Sequence, residues 1–417
     1  MARLRTALII VGLLAGLGVI SRQMKITTFP IDMLIYLDGV RTFLDGGELY
    51  SQPMHAGDDL ALPFIYPPFG ALVMVPFVWI GNWFGNDVAG NAMILLSAGL
   101  LLVCLYYTAR ALLTEIPLEE QTEIVRAWLI AALVWPLVLL IEPVWLNASF
   151  AQINILLMCM VILDIVPRRR YLPQGWLIGL AAAIKISPLA MLLYFLMRRN
   201  ITAIISAGVA GLLATGVAAA VRWEATREFF TVTLLGLGTK SQVGVNTAYQ
   251  SNSSYKGMIM RWFSSEDALN AHFAISGTVW ILLTMATMVC CALLMRALIN
   301  RGWDTEAWLV NALLMLLISP ISWSHHWVWL ALALPIFAWR AYDQHDRIVL
   351  AITGIWALLV LTTPPKWWFG DSIDVWALPW WQKFLVSDFV WLAVALLAAL
   401  GYLVVRTRRP VMTVQTG

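Results

Sequence analysis

Apolar runs close to 20 residues long, broken by short polar or charged intervals, recur from one end of the chain to the other. A run of that length crosses the hydrocarbon of a bilayer as one helix, which satisfies its own backbone hydrogen bonds. Counting them predicts about 12 transmembrane helices, near 7–21, 67–84, 88–112, 127–146, 149–166, 175–197, 201–221, 273–295, 306–322, 327–339, 348–364 and 388–405. The fold class expected is an all-α polytopic membrane protein, with residues 1–417 forming a single integral membrane domain. No internal repeat or low-complexity tract breaks the pattern.

Charge sets the expected orientation. Arg3 and Arg5 precede the apolar run from Ala7 to Ile20 and no small-x-small cleavage site follows, so an uncleaved first span with a cytoplasmic N-terminus is expected. On that count Arg198-Arg199, Arg296 with Arg301, Arg340 with Arg347, and Arg406-Arg408-Arg409 all fall on the cytoplasmic side, as the positive-inside rule asks. Arg168-Arg169-Arg170 does not. Either that cluster lies on the far side, or 175–197 is a broken pair of half-helices near Lys185 and Pro188. Polar mass then concentrates outside, in loops of about 22–66, 222–272 and 365–387. In the first loop Leu37, Val40, Phe43 and Leu44 share one helical face, with Asp38, Arg41, Thr42 and Asp45 opposite. This predicts a short interfacial helix ended by Gly46-Gly47.

Composition agrees with lipid as the main solvent. Hydrophobic residues make up 61% of the 417 and charged residues only 12%, about half the charged share of a soluble domain. A net charge of +3 without a basic stripe excludes a nucleic-acid partner. Cys104, Cys159, Cys290 and Cys291 all sit inside apolar runs, as buried thiols rather than disulfides or metal ligands.

Candidate chemistry lies mainly in the outer loops. Asp58 and Asp59 precede Tyr66-Pro67-Pro68, which starts the next span. An outer carboxylate can take the proton of a hydroxyl that attacks a sugar carbon. Where the leaving group is a phosphate, one base is enough, and the paired acids of glycoside hydrolases are not needed. Adjacent side chains also tend to point apart, which leaves one of the two for any site; solvated loop acids are the plain alternative. Lys185 sits in an apolar run where an ammonium is costly and usually functional, unless it snorkels to an interface. His325-His326 occupy a turn between apolar runs and are candidates for donating to a phosphate, or are interfacial rings beside Trp323 and Trp327. No further ligands at metal spacing accompany them, so no metal site is expected. The segment 246–262 is hydroxyl-rich and carries Asn252, Lys256 and Arg261, a mix suited to sugar hydroxyls and a phosphate or to a flexible loop. Gln152 and Asn154 are amides at a span end, fit for a head group, a helix cap or an interhelical bond.

The order of these pieces resembles the GT-C membrane glycosyltransferases of family 87. They are a first-loop helix in DMLIYLDGVRTFLDGGELY, an Asp after it, YPPF, QINILL, IKISP before a basic pair, NSSYKGMIMR and SPISWSHHWVW. The likeness runs over nearly the whole chain, through short motifs whose order and spacing carry it. It implies a GT-C fold and transfer of mannose from polyprenyl-phosphate-mannose to a lipid-linked glycan, here a phosphatidylinositol mannoside, through an α-1,2 linkage at the outer face of the plasma membrane. By the same resemblance Asp58 matches the catalytic aspartate of the first loop, and His325 and His326 fall in the histidine motif near the donor phosphate. Lys185, Asn252 and Arg261 match recurrent polar positions; Asp59, Tyr66, Lys256, Gln152 and Asn154 are supporting candidates. The chain has adjacent acids where the wider GT-C group has a DxD or ExD pair, which leaves metal dependence without support, and no cofactor is expected. The alternatives are transfer to lipomannan or arabinan, or a lipid or solute transporter. A transporter would usually show repeats and paired broken helices.

Overall fold

The computed structural model describes residues 2–57, 60–114, 119–167, 169–236 and 246–407. Helices α1 (Ala2–Ile26) and α2 (Ile31–Asp45) are followed by a short hairpin, β1 (Met54–His55) and β2 (Ala61–Leu62), paired antiparallel with Met54 opposite Leu62. Next come α3 (Pro68–Phe84), α4 (Asn86–Leu113), α5 (Glu120–Val138), α6 (Glu142–Ser149), α7 (Asn154–Ile165) and α8 (Trp176–Ile184). After them lie α9 (Leu192–Met197), α10 (Ile201–Val221), α11 (Trp223–Glu228), α12 (Leu234–Gly236), α13 (Tyr255–Arg261) and α14 (Glu266–Ala271). The chain continues through α15 (Phe273–Ile299), α16 (Asp304–Ile318), α17 (Leu330–Asp343), α18 (Arg347–Leu361), α19 (Trp380–Val386) and α20 (Asp388–Arg406).

This is an all-α polytopic membrane architecture. Among the described residues seven helices are long and apolar enough to cross a membrane, or eight if α6 and α7, bent by 120°, count as one span. Each of the predicted segments lies largely on helix, but several are too short for a full crossing. α3 has 17 residues, α16 has 15 and α17 has 14. Local chemistry accounts for this: Pro67 and Pro68 open α3, Ser319-Pro320 stops α16, and a 3-10 turn at Ser324–Trp329 delays α17.

The 175–197 segment is broken, as one of the two sequence readings allowed. α8 stops at Lys185, whose backbone is extended (φ −150°, ψ 129°), and a 3-10 turn at Ser187–Met191 carries Pro188. α8 is held close on both sides. A side chain at Gly179 would run into the Ala207 carbonyl of α10, and one at Gly70 of α3 would meet the Ile184 carbonyl at 2.8 Å. α10 offers an alanine stripe there, Ala203, Ala207, Ala210, Ala214 and Ala218, the small-residue packing that lets helices approach in lipid.

α2 is packed more extensively than its pattern predicts. Leu37, Val40 and Phe43 are buried as their periodicity predicts, yet Met33, Ile35 and Tyr36 are buried as well, while Leu44 in the last turn faces out. The helix closes at Gly46 in a left-handed conformation (φ 85°), as the glycine pair predicts. Arg222 ties that end down by donating to the carbonyls of Phe43 and Gly47.

Candidate active site

The bend between α6 and α7 organises the polar centre. Ala151 takes a left-handed φ of 51°, a strained position for a residue with a Cβ. Asn147 braces it, accepting from the Gln152 amide at 2.8 Å and donating to the Gln152 carbonyl at 3.2 Å. The Gln152 side chain is thereby turned towards α2. Its Nε2 donates to Asp32 Oδ2 at 2.8 Å and its Oε1 accepts from the Tyr36 hydroxyl at 2.7 Å. Tyr36 and Tyr66 also share a hydroxyl hydrogen bond of 2.8 Å. Because Tyr36 spends its proton on Gln152, Tyr66 is the donor in that pair, and the same Tyr66 hydroxyl also reaches Gln152 Oε1 at 3.3 Å.

Asp32 is a half-buried carboxylate in the first turn of α2. Desolvation raises its pKa from the usual carboxylate range to about 6, against the lowering effects of the Gln152 hydrogen bond and the Lys185 charge. Gln152 engages Oδ2, so Oδ1 is left for a ligand.

Lys185 stands across Tyr66, its Nζ 5.4 Å from the ring centroid. It donates to Asn154 Oδ1 at 2.9 Å and to His326 Nε2 at 3.1 Å. An ammonium only donates, so Nε2 of His326 accepts and its ring proton sits on Nδ1. Two of the three ammonium donors are used, and the third is left for a ligand. Asn154 donates in turn to the His325 carbonyl at 3.1 Å, which fixes the histidine turn against α7. The two histidines diverge: His326 lines a cavity, while His325 packs edge-on to Phe150 with neither ring nitrogen hydrogen-bonded among the described residues. Burial, aided by the nearby Lys185 charge, pushes both well below the usual histidine pKa, so both rings are neutral near pH 7.

That cavity holds about 610 Å³. Tyr66, Asn154, Lys185 and His326 form its polar end, and Leu157, Val161, Leu189, Met315 and Leu316 extend it as an apolar wall. The arrangement pairs a cation and a neutral histidine with room for a long hydrocarbon group, and sets a carboxylate two hydrogen bonds away.

Of the residues singled out from sequence, the structure brings together Tyr66, Gln152, Asn154, Lys185 and His326, with His325 adjoining. Asp58 and Asp59 lie outside the described residues. Asn252 and Arg261 take scaffold positions. The fully buried Arg261 guanidinium donates to the carbonyls of Ala248, Tyr249 and Asn252 and to Ser387 Oγ. Asn252 accepts from the Ser322 amide at 2.9 Å and donates to the Thr247 carbonyl at 2.8 Å, stitching the 246–262 segment to the turn before the histidines. Lys256 is half-buried on α13.

Several important residues gave little sequence signal. Asp32 is one. Another is Lys366, fully buried, which donates to Ser253 Oγ at 2.7 Å and Ser324 Oγ at 3.2 Å and pairs with Asp388 at 3.2 Å. Glu142 accepts from the same Ser324 at 2.7 Å and from Trp367 Nε1 at 2.8 Å. This network ties the 365–387 segment to the histidine turn. Among the described residues no group of three or more His, Cys, Asp or Glu side chains could hold a metal ion.

Comparison with known proteins decides the family. The model of glycosyltransferase family 87 matches residues 64–320, more than half of the chain. The chain belongs to glycosyltransferase family 87. It is similar to a polyprenol-phosphate-mannose-dependent alpha-(1-2)-phosphatidylinositol mannoside mannosyltransferase of Mycolicibacterium smegmatis, 32% identical over 89% of this chain and 84% of that protein. The protein of the same description from Mycobacterium tuberculosis is 30% identical over 97% and 93%. A phosphatidylinositol pentamannoside mannosyltransferase of M. smegmatis is 28% identical over 96% and 91%. No solved structure matches. Within this family 87 chain the matched span contains Tyr66, Gln152, Asn154 and Lys185, while Asp32 and the two histidines fall outside it.

Proposed function

We propose that this family 87 enzyme is an inverting mannosyltransferase. It would move mannose from polyprenyl-phosphate-mannose to the 2-hydroxyl of a phosphatidylinositol mannoside, at the outer face of the plasma membrane. The names of its relatives support the substrates. The observation that carries the chemistry is the chain of contacts from Asp32 through Gln152 and Tyr66 to Lys185 and His326 at the head of an apolar cavity.

In this reading Asp32 Oδ1 takes the proton of the acceptor hydroxyl as its oxygen bonds to the anomeric carbon. The bond from that carbon to the phosphate oxygen breaks, and the polyprenyl phosphate leaves with one more negative charge than the donor carried. Lys185, held by His326 and Asn154, meets that charge where it develops, which is where preorganised donors help most. The apolar wall keeps the prenyl chain out of water, and Tyr66 supports the sugar between base and leaving group. Asp58, expected from the family resemblance, is the competing candidate for the base. No metal takes part in this scheme.

Purified protein in liposomes tests the reading. With polyprenyl-phosphate-mannose and phosphatidylinositol mannoside, an α-1,2-mannosylated product is expected, and replacing either lipid by an arabinose donor or a lipomannan acceptor is expected to abolish it. Donor-independent movement of lipid across the bilayer, without transfer, would support the transporter instead.

A further inference from the structure

Part of the cavity lining is polar and left unused by the proposed chemistry. There α15 contributes Trp280 and Thr284, one turn apart on one face, and the turn after α16 contributes Ser322. The Trp280 Nε1, the Thr284 hydroxyl and the Ser322 hydroxyl have no hydrogen-bond partner among the described residues. Leaving a buried polar group unmade costs on the order of 1–3 kcal/mol. Three in one cavity lining suit the oxygens of a polar ligand.

A cation stands beside them. Lys256 Nζ lies 5.1 Å from the centroid of the Trp280 ring, and the ammonium forms no ion pair among the described residues. Its segment is tied to the same wall: Ser253 donates its amide to the Ser322 carbonyl at 2.7 Å, Asn252 bridges to Trp323, and Ser254 caps α13 by accepting from the Gly257 amide. Two fully buried cations differ. Lys366 has Asp388, and Arg261 has three carbonyls. A half-desolvated ammonium without an anion, over an indole with a spare N–H, fits a phosphate oxygen.

We infer that Lys256, with Trp280, Thr284 and Ser322, forms a second lipid-phosphate subsite, which binds the phosphodiester of the glycerophospholipid acceptor. The inference rests on the transferase reading, in which two lipid phosphates share one cleft. The donor phosphate is bonded directly to the reacting carbon and therefore belongs with Lys185 and His326. The acceptor phosphodiester is separated from the reacting hydroxyl by inositol and mannose, and so belongs at a distance from the base, beside the bilayer that holds its acyl chains.

The test is steady-state transfer in liposomes by wild type, Lys256→Gln, Lys256→Arg and Thr284→Val. For Lys256→Gln the apparent KM for the phosphatidylinositol mannoside is expected to rise about tenfold while that for the donor stays within about twofold, with arginine restoring most of the loss. Thr284→Val keeps the fold and is expected to raise the acceptor KM about threefold. A rise confined to the donor KM would place the donor phosphate here and overturn the inference, as would unchanged KM values in both Lys256→Gln and Thr284→Val. Wild-type protein without transfer activity would instead defeat the underlying transferase reading.

Discussion

At the scale of single residues, environment decides which charges act. Lys185 was legible because an ammonium in an apolar run has to be explained. Asp32 was not, because a lone acid opening a helix reads as a solvent-facing residue suited to the helix dipole. Only its contact with Gln152, distant in sequence, reveals it. Arg261 differs in the opposite direction: a cation in a hydroxyl-rich segment reads as a ligand group, whereas its donors go to backbone carbonyls and Ser387 Oγ. The raised pKa of Asp32 makes a prediction whose sign is fixed by its role. A base must be ionised, so transfer should rise with pH through about 6 and level off above it. Gln152→Leu removes a hydrogen bond that lowers this pKa, and should move the midpoint upward. A pH–rate profile of kcat/KM checks both, and a profile flat between pH 5 and 8 would exclude Asp32 as the titrating base.

At the scale of elements, breaks could be read where proline or glycine writes them and not elsewhere. Pro188 announced the interruption of 175–197, and Gly46 announced the end of α2. The 120° bend between α6 and α7 carries no proline or glycine: Phe150, Ala151 and Ile153 look like ordinary span residues, and Gln152 reads only as an amide at a span end. The bend exists because Asn147 and α2 hold it. The network around Lys366 was hidden in the same way, inside what reads as a polar loop. Arg261 belongs to this scale, as the clamp between α13, the 248–252 turn and the start of α20. Arg261→Met should cost about 2–4 kcal/mol by stranding buried carbonyls. A lowered melting temperature, with the donor KM of the surviving folded protein unchanged, is the expected result. A donor KM raised at full stability would return Arg261 to the binding site.

At the scale of the whole molecule, the hydropathy pattern was enough for fold class, because a bilayer enforces helices on any chain this apolar. Its count of about 12 stands beside seven or eight helices that, among the described residues, are long and apolar enough to cross. Period and apolarity do not distinguish a span from a shorter helix that stops at a proline or a polar turn. What it could not supply is how distant segments converge: residues from the first loop, the α6–α7 bend, the α8 break and the histidine turn meet at one cavity. That convergence is the central claim, and the base is its most exposed point. Asp32→Asn and Asp58→Asn, purified into liposomes and matched for folding by melting temperature, should be compared in mannose transfer. The account expects Asp32→Asn to lower the rate by about 10²–10⁴-fold and Asp58→Asn to lower it far less. Near wild-type transfer by Asp32→Asn would contradict it, and most plainly if Asp58→Asn were inactive.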